Sequence, residues 1–94
     1  MTTASTSNVQ LVPGGGWTLV ITGPVIGFFD IRHFPKEVPV FYTVAASLPA
    51  ASVKGGLRDD QGEFWANGAL TGQNIYARIQ NNANDVVNLS VYQN

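Results

Sequence analysis

Asn74-Ile75-Tyr76-Ala77-Arg78-Ile79-Gln80 and Val86-Val87-Asn88-Leu89-Ser90-Val91-Tyr92 decide the fold, because apolar residues recur at every second position in both runs. Successive side chains on a strand point to opposite faces, so a period of two buries one face and wets the other. A helix, with its 3.6-residue period, cannot sort this pattern. Ile75, Ala77 and Ile79 form one apolar register and Val87, Leu89 and Val91 the second. Between the runs, Asn81, Asn82, Ala83 and Asn84 supply turn chemistry, since Asn tolerates left-handed backbone angles and can bond its own main chain. The expectation is a single β-hairpin from Asn74 to Asn94, with Tyr76 and Tyr92 together on its polar side.

Upstream the same punctuation repeats. A short strand from Val9 to Val12 ends at Pro13, and Gly14, Gly15 and Gly16 turn the chain. Trp17, Leu19 and Ile21 then alternate with Thr18, Val20 and Thr22, which places Trp17 as a core anchor, until Gly23 and Pro24 stop the strand. Val25 to His33 forms the next strand, and Phe34, Pro35, Lys36 and Glu37 turn it. Val38 to Ala45 is apolar on both faces and so should be covered on both, with Pro39 confined to the strand's start or to an edge. Ser47 to Gly56 reads as the one long loop, Asp59-Asp60-Gln61-Gly62 as a turn, and Glu63 to Ala66 as a short strand. About seven short strands with no helical periodicity describe an all-β fold, a sandwich or a small antiparallel barrel. Met1 to Asn8 is polar, small and aperiodic, and is expected to be a flexible arm preceding one β domain over 9–94.

Composition narrows the chemistry. With 94 residues, no Cys and a lone His at position 33, the chain has no cysteine nucleophile, thiolate zinc site, His-rich metal site or disulfide framework. Five Lys or Arg against six Asp or Glu leave a net charge of −1, with no basic stripe to neutralise phosphates, so nucleic acid is not an expected partner. The first eight residues lack the cationic head and apolar stretch of a secretory signal. The longest apolar stretch, Val38 to Ala46, is far short of the roughly 18 residues that span a bilayer, so no membrane partner is expected either.

Asp59, Asp60 and Glu63 are the one acidic group, but their spacing lacks the ligand number of a calcium loop, and a solvated turn is the expected reading. His33 lies at a strand end with no Gly-x-Ser-x-Gly elbow elsewhere, and is expected to be structural or superficial. No catalytic residue, metal ligand or cofactor site is assigned, and each of these four residues is expected to tolerate replacement with small stability changes. Trp65 follows Phe64 in a short strand, so one of the two must face outward, and exposed aromatic rings can stack on sugars or anchor a protein interface, whereas the expected reading of Tyr76 and Tyr92 is that they cover a second sheet.

The order Trp17-Thr18-Leu19-Val20, Pro39-Val40-Phe41-Tyr42, Leu48-Pro49-Ala50, Leu57-Arg58 with Gly62-Glu63, Asn74-Ile75-Tyr76-Ala77-Arg78 and a terminal valine-rich strand resembles small β-structured virion proteins of tailed bacteriophages, accessory proteins of heads or tails. The resemblance runs from Leu11 onward through short hydrophobic motifs, and it carries no catalytic residues. It implies a capsid decoration or cement protein located in the virion, binding the major capsid protein or other virion proteins as a homo-oligomer on the particle. The alternative is a carbohydrate-binding or adaptor module of a tail fibre or spike. The chain departs from the plain pattern at Phe34-Pro35-Lys36-Glu37, a longer connection that can serve as a contact of its own. The expected interface residues are Thr2, Thr3 and Ser5 of the arm, Phe34, Lys36 and Lys54 of the loops, and the aromatic residues Trp65, Tyr76 and Tyr92.

Overall fold

The computed structural model of the chain describes residues 5–23, 28–35, 38–50, 57–59, 62–67, 72–80 and 86–93, with side chains for all of these except 5, 6, 28, 57 and 63–67. The fold is all-β. Eight strands are present among the described residues: β1 (Ser5–Leu11), β2 (Thr18–Thr22), β3 (Phe28–Phe34), β4 (Val40–Ala45), β5 (Leu57–Asp59), β6 (Glu63–Asn67), β7 (Asn74–Ile79) and β8 (Val87–Gln93). They form two four-stranded antiparallel sheets, a first in the order β1-β8-β3-β6 and a second in the order β2-β7-β4-β5.

The alternation read from the sequence decides which face each strand buries. In β8, Val87, Leu89 and Val91 are buried while Asn88, Ser90 and Tyr92 are exposed. In β3, Phe29, Ile31 and His33 turn inward, and the second sheet contributes Val40, Tyr42, Ile75, Ala77 and Ile79 to the same interior. Leu11, Val20 and Ile21 complete this apolar core between the sheets, with Val9 and Val38 packed against it.

The final hairpin is not formed. β7 pairs with β2 and β4 in the second sheet, whereas β8 pairs with β1 and β3 in the first. The chain between Gln80 and Val86 therefore crosses from one sheet to the other, and the expected Asn turn at 81–84 lies outside the described residues. A period of two fixes which side chains are buried but leaves the neighbouring strand open, so a hairpin and a crossover satisfy it equally. Among the described strands, β4 and β5 are the one consecutive pair that is hydrogen-bonded; the other consecutive strands lie in different sheets.

Three local readings change as well. β1 begins at Ser5 and pairs without interruption from Ser5↔Gln93 to Leu11↔Val87, so residues 5–8 of the expected arm are strand, while 1–4 lie outside the described residues. The register of β2 shifts between Leu19 and Ile21, and this irregularity breaks the expected common face: Ile21 is buried in the core, while Leu19 is 46% exposed on the outer side. A β-bulge has this effect because one extra residue reverses the order of faces beyond it. Trp17 is buried, but outside the apolar core, packed with Arg78 on the outer face of the second sheet.

Candidate functional site

Three groupings of polar and aromatic side chains stand out, and their exposure separates structural roles from a surface open to a partner. The first is closed. His33 on β3 and Asp59 on β5 meet across the two sheets, with imidazole Nδ1 3.4 Å from a carboxylate oxygen and side chains 0% and 7% exposed. Asp59 is thus not part of a solvated turn, because the strand pairing Val40↔Asp59 sets it on the inward register of β5. The residue types in Asp59-Asp60-Gln61-Gly62 signal a turn, and the chain does leave β5 at Asp59, but the strand reaches one residue further than the turn chemistry suggests. Gly62 has φ +84°, a conformation that favours glycine, and its carbonyl accepts a 3.0 Å hydrogen bond from the His33 amide, which continues the β3–β6 pairing one step beyond Arg32↔Glu63.

Tyr42 on β4 belongs to the same interior region. Burial, and secondarily the carboxylate of Asp59, push its phenol well above the ordinary tyrosine range. The sign of the consequence follows from linkage. Above about pH 10 a tyrosine in the unfolded chain gives up its proton while folded Tyr42 retains it, so stability falls as pH rises beyond that point. Urea unfolding of parent and Tyr42→Phe proteins between pH 9 and pH 11 should show a shallower alkaline loss for the variant. Identical slopes would contradict the placement of this hydroxyl.

The second grouping covers the outer face of the second sheet. The Arg78 guanidinium sits over the Phe41 ring at 4.5 Å and the Trp17 ring at 5.2 Å, and Arg58 lies 5.9 Å from Phe41 on the other side. The pairing Phe41↔Arg78 and Phe41↔Arg58 puts this cation–aromatic stack in one row across β7, β4 and β5. The stack covers the outer face of β4 as its two-sided apolar character implies, although with guanidinium groups rather than a further apolar layer. Tyr76, beside it, is 5% exposed, and its hydroxyl accepts a 3.2 Å hydrogen bond from the Asn74 side-chain amide. The Asn74 side-chain oxygen Oδ1 in turn accepts from the Gly23 amide at 3.1 Å and fixes the end of β2. Tyr76 is therefore a packed residue and not a stacking platform. It also lies on a different sheet from Tyr92, which separates two residues expected to share one surface.

The third grouping is open: the outer face of the first sheet. Its rows follow from the registers. Trp65, Asp30, Tyr92 and Thr6 form one row, Glu63, Arg32, Ser90 and Asn8 the next, and Phe34, Asn88 and Gln10 the last. Phe34 is 71% exposed and Tyr92 is 40% exposed, and between them lie exposed, uncharged Asn88 and Ser90. Arg32 donates to Asp30 at 3.3 Å, and Gln10 reaches Asn88 at 3.5 Å. Three of the expected interface residues, Phe34, Trp65 and Tyr92, thus occupy the register of one sheet face, and Ser5 begins its outermost strand. Thr2, Thr3, Lys36 and Lys54 lie outside the described residues, as do Asp60 and the side chains of Ser5, Glu63 and Trp65.

Sequence reasoning did not find the role of Arg78 or the His33–Asp59 contact. Arg78 stands in the polar register of its strand, two residues from Tyr76, with nothing local to mark its aromatic partners; the second contact joins residues 26 positions apart on two sheets and leaves no local signal. No protein-family model, curated protein or solved structure matches the chain.

Proposed function

We propose that this chain is a structural protein of a phage particle, a capsid decoration or cement protein that docks the outer face of its first sheet on the head surface. The observation that carries the docking mode is the presence of Phe34, 71% exposed, and Tyr92, 40% exposed, on one face, with the charges of Arg32 and Asp30 matched to each other between them. Exposed aromatic rings are costly to leave in water and are the residues that most often anchor protein interfaces. The phage assignment itself comes from the resemblance of the chain's motifs to small virion proteins. A binding role is supported by the enclosure of His33 and Asp59 between the sheets, with side chains 0% and 7% exposed.

A particle surface presents many copies of one modest site, so an interface with two aromatic anchors suffices when the docked proteins also support one another. Phe34→Ala combined with Tyr92→Ala should lower binding to particles at least about tenfold, the scale of two interface anchors lost. Sedimentation of particles with added parent or variant protein measures this. Equal retention of the two proteins would remove the face from the interface. The fibre or spike alternative uses the same Trp65–Asp30–Tyr92 row as a sugar platform. It predicts few copies per particle and binding to isolated glycans, whereas a cement protein is present in numbers that track the major capsid protein.

A further inference from the structure

Every open sheet ends in strands with unpaired backbone groups, and proteins usually blunt such edges with charge, proline, bulges or brevity. Three of the four edges here are blunted. β5 is three residues long and carries Arg58 and Asp59, β6 begins with Glu63, and β2 is interrupted by the register shift between Leu19 and Ile21. β1 has none of these devices. Its seven residues, Ser5-Thr6-Ser7-Asn8-Val9-Gln10-Leu11, hold no charge and no proline, and its register with β8 is unbroken. Ser7, Asn8 and Gln10 are exposed, and among the described residues no strand lies beyond β1.

We infer that the free edge of β1 is a self-association site, at which a second copy of this chain adds its own β1 antiparallel across a two-fold axis to make a continuous eight-stranded sheet. A second copy is favoured by charge. In a two-fold contact each edge residue meets the mirrored position of the same strand, so any charge near the axis faces its like. Centring the axis on Asn8 opposes Asn8 to Asn8, Ser7 to Val9, Thr6 to Gln10 and Ser5 to Leu11, with no like-charge pair. The equivalent contact on β5 would set Arg58 against Arg58. Antiparallel addition also keeps the apolar positions Val9 and Leu11 on the inner side of the joined sheet, in line with the core of each copy. A seven-residue edge, about 24 Å long at ~3.4 Å per residue, buries much less than the ~1,600 Å² of a standard interface, so the pairing is weak in dilute solution. The inference concerns the isolated chain and does not depend on the face that meets the particle.

Sedimentation equilibrium of the purified protein up to about 1 mM should show a mass rising with concentration from 10.1 kDa toward twice that value. Asn8→Lys and Asn8→Asp each place like charges at the axis. Both should remain monomeric at concentrations where the parent pairs, with unchanged far-UV spectra and thermal midpoints, because the site is exposed. An equimolar mixture of the two variants should pair again, since Lys then faces Asp. A parent that is monomeric throughout, variants that associate as the parent does, or folded variants whose mixture stays monomeric would each overturn the inference.

Discussion

His33→Ala is expected to destabilise the fold by about 3–5 kcal/mol, the cost of removing one partner from a buried ionisable pair. The ring is wholly enclosed, and its removal leaves the Asp59 carboxyl, 7% exposed, without the imidazole 3.4 Å away, as well as a cavity between the sheets. Replacing both residues with apolar ones of similar volume should cost less than the two single losses together, because the buried polar contact is then removed from both sides. Chemical unfolding of the four proteins of this cycle gives the coupling directly. From the sequence alone His33 is structural or superficial and Asp59 part of a solvated turn, and replacing either is expected to change stability by no more than about 0.5 kcal/mol. A His33→Ala protein inside that range would mean that the inter-sheet contact is not made.

Leu89→Ala is expected to cost about 2–5 kcal/mol, the range for truncating a buried leucine. Leu89 is 1% exposed and sits at the middle of β8, opposite Val9 on β1 and His33 on β3, so its side chain closes the core beneath three strands. The exposed neighbour Ser90 is the matched control. Ser90→Ala should leave the unfolding midpoint nearly unchanged, as it lies on the outer face of the same strand. Comparable losses at the two positions would reverse the assigned faces of β8.

Leu89 also shows what was legible in the sequence and what was not. Its burial follows from alternation alone, as does that of Ile75, Ala77, Ile79 and Val91, because the pleat ties each position to a face. Pairing is different. The β7 and β8 alternations are the same whether the strands meet in a hairpin or belong to two sheets, and the second arrangement is the one adopted. At β2 the alternation itself misleads, since the register shift separates Trp17 and Leu19 from Ile21. The candidate face was half-legible. Phe34 and Tyr92 announce themselves as aromatic residues in polar surroundings, but their common surface depends on β3 and β8 being neighbours, although they lie more than 50 residues apart. Tyr76, identical in type and in alternating context to Tyr92, is packed beside the Arg78 stack, because its sheet carries residues large enough to cover it.

The central claim, that the chain works by docking the outer face of its first sheet on the head of a phage particle, is tested most directly by electron-microscopic reconstruction of the intact particle with this chain located in it. The account predicts copies on the head in numbers that track the major capsid protein, each with Phe34 and Tyr92 against the shell. Copies confined to a fibre or spike, or copies on the head with that face turned to solvent, would contradict it.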